Sequence, residues 1–215
     1  MDPGCFVRRN TAIAFPPLVP EIRLHLATEI TPIWQASEET LAQGAVPPPF
    51  WAFAWAGGQA LARYLLDRPQ TVAGRKVLDF GSGSGLVAIA AAMAGARSVV
   101  AAEIDHFAAA AIAANAALNG VEVEVTVAEM LDAAAPSCQI VTAGDVCYER
   151  EMAQRVIRWL RVLAGAGTMV LLGDPGRAYL PQSGLRELAH YRVPTSRELE
   201  DADSREAIVF EVLAG

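Results

Sequence analysis

Lysine is nearly absent from this chain: of 17 basic residues in 215, only Lys76 is a lysine. A GC-rich coding sequence, which favours Arg and Ala, accounts for that bias. Positive charge is short overall, with 24 acidic residues, a net charge of −7 and an isoelectric point near 5.0. That deficit argues against a sequence-independent grip on nucleic acid, which needs clustered Lys and Arg to neutralise phosphates. Cysteine is scarce too. Cys5, Cys138 and Cys147 form no CxxC and no even-numbered framework, so a reduced, cytoplasmic setting is expected. His25, His106 and His190 are scattered, without ligand spacing to a cysteine, and no metal site is expected. Mean hydropathy is positive at +0.29, yet no stretch approaches the roughly 18 unbroken apolar residues of a spanning helix, so no membrane partner is expected. MDPGCFVRRNTAIAFPPLVPE contains no apolar h-region, and no secretory signal is expected.

Hydrophobic residues make up 53% and charged residues 19%, which excludes disorder and supplies a large core. A length of 215 residues gives room for one domain. Neither a repeat nor a Gly/Ser linker divides it. PEIRLHLATEI (20–30) reads as a helix, with Pro20 in its first turn and Ile22, Leu26 and Ile30 at four-residue spacing. Ser37 is placed to cap a short helix, SEETLAQ, ended by Gly44. VPPPFWAFAW (46–55) gathers four aromatics beside prolines, and GGQALARYLLD continues as a helix.

From residue 75 the pattern alternates. KVLDF (76–80), SVVAAEI (98–104), VEVEVTV (121–127), QIVTAGDV (139–146) and TMVLLGD (168–174) read as strands. Between them lie helices over 85–95, 106–120 and 149–165, the last with an inner stripe of Met152, Val156, Trp159, Leu160 and Leu163. A short helix near 183–189 and closing strands at about 190–194 and 206–213 complete the chain. Such alternation means an α/β fold with a parallel sheet covered on both faces. The acidic stretch RELEDADSRE joins the last two strands without a crossover helix, so the final strand must run antiparallel. The expectation is a seven-stranded, Rossmann-like sheet, six strands parallel and the last reversed. We read one domain over 1–215, a helical and aromatic cover over 1–70 and a core over 75–215.

VLDFGSGSGLVA sits where a strand meets a helix, the place where α/β sheets bind ligands against a glycine turn. Gly81, Gly83 and Gly85 give D-x-G-x-G-x-G, while Gly83 to Ala88 also fits the dinucleotide fingerprint G-x-G-x-x-A. Glu103 ends the next strand, placed for a ribose. The loop alone thus specifies an adenosine-type cofactor. Three features favour S-adenosylmethionine over NAD. Asp79, two residues before the first glycine, repels a pyrophosphate but suits an ammonium or sulfonium. The reversed last strand is the signature of class I methyltransferases. Glu129, after the third strand, is placed to accept from an adenine amino group. An oxidoreductase with a Tyr-x-x-x-Lys donor finds no lysine outside the first strand.

GDVCY ends the fourth strand, with Asp145 and Tyr148 just past the sheet's carboxyl edge, where an acceptor would approach. Lysine has a free pKa of about 10.4 and must be neutral to attack. Asp145 is placed to orient an ammonium or take its proton through water, unless it only caps the next helix; Tyr148 supplies a π-face. Of the nearby aromatics Trp55, before Gly57-Gly58, is placed to touch the cofactor. A pocket around Trp51 and Tyr148 would equally suit a small pyridine- or nicotinamide-like amine, and a non-catalytic cofactor-binding module is a further alternative.

PPPFWAFAWAGGQALARYLLD, VLDFGSGSGLVAIAAA, the D-x-x-Y of Asp145–Tyr148, GDPGR (173–177) and the opening NTAIAFPPLVPEIRLHLATEITPIW together resemble the electron transfer flavoprotein β-subunit lysine methyltransferase family and its bacterial relatives, over roughly 8–213. The resemblance implies a class I fold and S-adenosylmethionine-dependent methylation of a protein lysine, on the electron transfer flavoprotein β-subunit or a ribosomal protein. It implies that Asp79, Gly81 and Gly83 shape the cofactor loop, that Glu103 holds the ribose hydroxyls and that Trp55 flanks the cofactor; Ser82, Gly85, Ile104 and Glu129 count with them as cofactor-binding candidates. Asp145 and Tyr148 are the implied catalytic pair. Ala56 stands where such proteins often have proline, and Ala128-Glu129 where Gly-Asp is usual.

Overall fold

Apolar residues that alternate along each central strand sort onto two faces, and this sets the layering. The computed structural model describes residues 2–28, 48–132 and 137–215. Strands β3 (Lys76–Phe80), β4 (Ser98–Glu103), β5 (Glu124–Val127), β6 (Ile140–Gly144), β7 (Met169–Asp174), β8 (Leu185–Pro194) and β9 (Ser204–Val212) form one sheet in the order β5-β4-β3-β6-β7-β9-β8. Neighbours from β5 to β7 pair in parallel, whereas β9 is antiparallel to both β7 and β8. Six strands therefore share one direction and the last is reversed, as the sequence predicts.

Val77, Ile140 and Leu171 enter the apolar layer on one face, under helices α2 (Ala56–Asp67), α3 (Leu86–Met93) and α4 (His106–Leu118). Their neighbours Leu78, Val141 and Leu172 enter the other layer, closed by α5 (Arg150–Gly165). That inversion at each residue is the period-two geometry of a strand. In α5 the expected stripe is buried at Val156, Trp159, Leu160 and Leu163, while Val162 on the outer side is 65% exposed. Helix α3 is buried along most of its length because α2 and α4 flank it, which explains why its sequence is apolar all round.

The start of the chain packs as a cover on α4. Helix α1 (Pro3–Asn10) is capped by Asp2, whose side chain accepts from the Cys5 N–H at 2.6 Å, and Phe6 packs on Phe107. Residues 20–28 are not helical, and the last two residues of the expected helix lie outside the described residues. Leu24–Leu26 is instead strand β2, paired antiparallel with β1 (Ala12–Ala14). The reason is tertiary: Asn119 Oδ1 accepts the Arg23 N–H and Asn115 Oδ1 the His25 N–H, at 2.9 and 2.7 Å, which holds the segment extended. Ile22, Leu24 and Leu26 are all buried, a period of two that four-residue spacing also contains. The helix expected over SEETLAQ lies outside the described residues.

The helix expected near 183–189 is replaced by β8, paired with β9 from Leu185 to Pro194. Its apolar residues, Leu185, Leu188, Ala189, Tyr191 and Val193, keep no strict period of two, because a bulge between Glu187 and Ala189 shifts the register. Between β8 and β9 the chain makes only the single turn α6 (Arg197–Glu200). The third core strand starts at Glu124 and not at Val121.

Candidate active site

Three glycines of the loop after β3 adopt left-handed backbone, with φ of 61° at Gly81, 55° at Gly83 and 81° at Gly85. This is the conformation a side chain disfavours. Beneath the loop Asp79 is buried. It accepts from the Thr142 hydroxyl at 2.8 Å and from the Ser82 hydroxyl, with no cation beside it among the described residues. Burial pushes its pKa up to about 6. Glu103 crosses from the end of β4, its two oxygens accepting the Gly83 and Ile104 N–H groups at 2.7 and 3.0 Å. Burial raises it also. Ile104 is 67% exposed, an apolar face beside that carboxylate. Glu129 is exposed and accepts the Leu131 N–H at 3.0 Å, turned onto its own loop.

A buried acid under a glycine turn, next to a second carboxylate and a bare isoleucine, fits the chemistry of S-adenosylmethionine, which carries an ammonium, a ribose and an adenine. A pyrophosphate fits poorly, since Asp79 and Glu103 would both repel it. No group of His, Cys, Asp and Glu among the described residues is arranged to hold a metal ion.

Asp145 lies one residue past β6, in left-handed backbone with φ 57°. Its N–H donates to Gly173 O at 2.9 Å, which pins this turn against the end of β7. The carboxylate meets the N-terminus of α2, where the Gly58 N–H donates to Oδ2 at 2.8 Å. This close approach requires glycine at 57, since a Cβ there would stand 2.3 Å from Gly173 O and 2.7 Å from Asp145 Oδ2. Oδ1 accepts from Arg177 Nη2 at 2.8 Å and Nε at 3.2 Å. Arg177 is shared, because it also grips buried Glu200 through Nη2 at 2.7 Å and Nη1 at 3.0 Å. One guanidinium between two buried carboxylates leaves Asp145 undercompensated, and burial wins: its pKa rises to about 6. Asp145 does not cap the following helix; Glu149 does, accepting from Glu151 and Met152 N–H.

Tyr148 is 47% and Phe50 51% exposed, their rings 5.6 Å apart. Trp55 packs beside Phe50 and Phe53, donates from Nε1 to Phe50 O at 2.9 Å, and lies under Arg177 at 5.5 Å. These rings form an aromatic rim next to Asp145. Trp51 is not part of it: it is 1% exposed, packed with Val7, Ala108 and Ala111 beneath the cover. Cys147 is no nucleophile, for burial and the Asp174 carboxylate push its thiol to about 12. Sequence reasoning missed Thr142, Gly58, Arg177 and Glu200. Only Arg177 had a local signal: Asp174 Oδ1 accepts the N–H groups of Gly176 and Arg177, the turn expected of Asp-Pro-Gly-Arg.

Known proteins similar to this chain are methyltransferases. The family model described as ribosomal protein L11 methyltransferase (PrmA) matches residues 60–146. The electron transfer flavoprotein beta subunit lysine methyltransferase of Danio rerio is 40% identical over 203 residues, covering 91% of this chain and 78% of its own. That of Xenopus laevis is 38% identical over 205 residues, covering 93% and 82%. Among solved structures, the magnesium protoporphyrin IX methyltransferase of Synechocystis PCC 6803 with bound SAM shares the fold at a TM-score of 0.52, with 16% identity over 72% of this chain and 77% of that one. A mostly parallel seven-stranded sheet with its last strand reversed, together with these relatives, makes the chain a class I, S-adenosylmethionine-dependent methyltransferase. Within that class the identity over most of the chain is decisive. The chain belongs to the electron transfer flavoprotein β-subunit lysine methyltransferase family.

Proposed function

We propose that this protein methylates lysine side chains of a protein substrate, the electron transfer flavoprotein β-subunit in first place and a ribosomal protein in second. The observation that carries it is the Asp145 carboxylate, buried and held on three sides beside an open aromatic rim. Gly58 occupies one lone pair of Oδ2, and Arg177 occupies Oδ1. One lone pair of Oδ2 remains for an incoming N–H. With a pKa near 6, Asp145 is an anion at neutral pH, and an ammonium is the donor it favours.

Bound at the glycine loop, S-adenosylmethionine supplies an electrophilic methyl group and leaves as S-adenosylhomocysteine. Asp79, Gly81, Ser82, Gly83 and Gly85 would hold the methionine end, Glu103 the ribose, and Ile104 and Trp55 the flanks, with Glu129 joining them once released from the Leu131 N–H. Asp145 draws the ε-ammonium to the sheet edge, while Phe50 and Tyr148 strip water from its aliphatic stem. Desolvation there lowers the amine's pKa and helps it lose its proton, which Asp145 passes to solvent. The neutral nitrogen then forms the N–C bond as the C–S bond breaks. Alignment supplies most of the rate.

The small-amine reading is disfavoured because Trp51, which would close such a pocket, is spent in the cover. One domain over 1–215 accounts for the activity. Its place is the cytoplasm, which suits three free thiols; no helix among the described residues is long and apolar enough to cross a membrane. The test is transfer of radiolabelled methyl from S-adenosylmethionine to purified electron transfer flavoprotein, ribosomal protein L11 and a small-molecule extract, with Asp145→Asn as control. Label on flavoprotein lysines, reduced by about 100-fold in the variant, supports the reading. Label in the small-molecule extract alone overturns it.

A further inference from the structure

We infer that Arg177 and Glu200 are positioning residues of this reaction, a charge-setting pair that fixes the orientation and the protonation of Asp145. Resting on the lysine reading for its catalytic part, it assigns a role to residues from two connections far apart in sequence.

The contact pattern is a chain of alternating charge. Arg205 Nε lies 3.6 Å from Glu200 Oε2, Glu200 takes both Nη atoms of Arg177, and Arg177 gives Nη2 and Nε to Asp145 Oδ1. Glu200 is 3% and Asp145 8% exposed, so water does little to screen them. The Asp174 carboxylate aims the arginine by binding its backbone N–H at 2.6 Å. The guanidinium carbon lies 5.5 Å from the centre of the Trp55 ring, a cation–π contact that adds a further restraint. A fork so constrained specifies where Asp145 Oδ2 points, because Oδ1 has no freedom to rotate.

The charges that Asp145 senses are Arg177 from the β7–β8 connection, Asp174 from β7, Glu200 from α6 through Arg177, and the Cys147 thiol of its own segment; Gly58 N–H of α2 completes the shell. Glu200 competes for the cation. Removing Glu200's charge gives Asp145 the whole of Arg177, and removing Arg177 leaves Asp145 facing only acids.

Two variants therefore move Asp145 in opposite directions. In ¹³C NMR of the aspartate side-chain carboxyls, with the Asp145 signal assigned through Asp145→Asn, Glu200→Gln lowers the titration midpoint and Arg177→Gln raises it by about one to three pH units. With acceptor protein and saturating cofactor, Arg177→Gln lowers kcat by about 100-fold while the affinity for S-adenosylhomocysteine holds. A structural role alone would lower the melting temperature of both variants and move no midpoint. Midpoints that stay still or move together overturn the proposal, as does an unaltered kcat in Arg177→Gln. Because the NMR titration needs no acceptor, opposite shifts in an enzyme that methylates no lysine would uphold the charge-setting pair and refute the lysine reading alone. Should Arg177→Gln fail to fold, Glu200→Gln must still lower the midpoint, and Arg177→Lys, which keeps the charge and loses the fork, must lower kcat; failure of either overturns the proposal.

Discussion

Gly57 and Gly58 are neighbours in the first turn of α2, and replacing each by alanine should have opposite consequences. At Gly57 the new methyl would stand 2.3 Å from Gly173 O, 2.7 Å from Asp145 Oδ2 and 2.8 Å from Gly173 C. Two of these atoms are backbone of β7, so the helix must back away from the sheet. Overpacking of this kind costs typically about 1–3 kcal/mol, and a stretched charge-assisted bond from Gly58 to Asp145 adds about 1.5–3 kcal/mol. The better helix propensity of alanine returns about 1 kcal/mol. The net loss, roughly 1.5–5 kcal/mol, lowers the melting temperature by about 3–20 °C at 2–4 °C per kcal/mol. It also moves Asp145 relative to the acceptor, and displacement by about 1 Å costs on the order of 100-fold in rate. At Gly58 the nearest atom to a new methyl is Asp145 Oδ2 at 3.9 Å, an ordinary contact. Only the propensity gain remains, so Gly58→Ala should melt at or slightly above the wild-type temperature. Differential scanning calorimetry and single-turnover methyl transfer read both quantities. A Gly57→Ala protein as stable and as active as the wild type would refute the close approach of α2 to the tips of β6 and β7.

Asp79 gives a pH test. Its folded pKa of about 6 exceeds the roughly 3.9 of an unfolded aspartate. The folded protein thus holds a proton that the unfolded chain has released, and this contribution to stability is lost as pH rises from about 4 through 6. A cofactor ammonium beside Asp79 reverses the shift, so binding of S-adenosylhomocysteine should release a proton near pH 6 and tighten as pH rises through it. Calorimetric titration in two buffers of different ionisation enthalpy measures that proton, and its persistence in Asp79→Asn would assign it elsewhere. Leu160 is fully buried in the layer between α5 and the sheet. Leu160→Ala should cost about 3 kcal/mol, or roughly 10 °C in melting temperature, and leave cofactor affinity below the transition unchanged; a melting point that does not move would contradict the packing of α5.

The core of the fold was legible because its signals are local. KVLDF is a strand with the bounds read from sequence, since an apolar run ending in a glycine turn has one reading. The reversal of β9 followed from a connection too short for a crossover. Where two periods coincide, sequence is silent. Ile22 and Leu26 satisfy a helix and a strand alike, and the choice is made by amides of Asn115 and Asn119 about ninety residues away. Strand β8 hides for another reason: a bulge between Glu187 and Ala189 breaks the period of two along it. The site divides the same way. Asp79, Glu103 and Asp145 could be named from their place at strand ends. Glu200 could not, because its meaning is a partner 23 residues earlier across the end of the sheet.

The one lysine also has a consequence. Lys76 is exposed and begins β3, on the amino edge of the sheet, whereas Asp145 follows the carboxyl end of the adjacent strand. Five residues of strand, about 16 Å, and the thickness of the loops separate them. An enzyme that transfers methyl groups to amines thus presents its own catalytic edge with no side-chain amine. Methyl label found on Lys76 would have been delivered by a second molecule, and its rate would scale with the square of protein concentration. The same isolation makes Lys76 a single side-chain handle: an amine-reactive fluorophore would sit on the rear of the sheet, reporting on tumbling and docking from outside the chemistry.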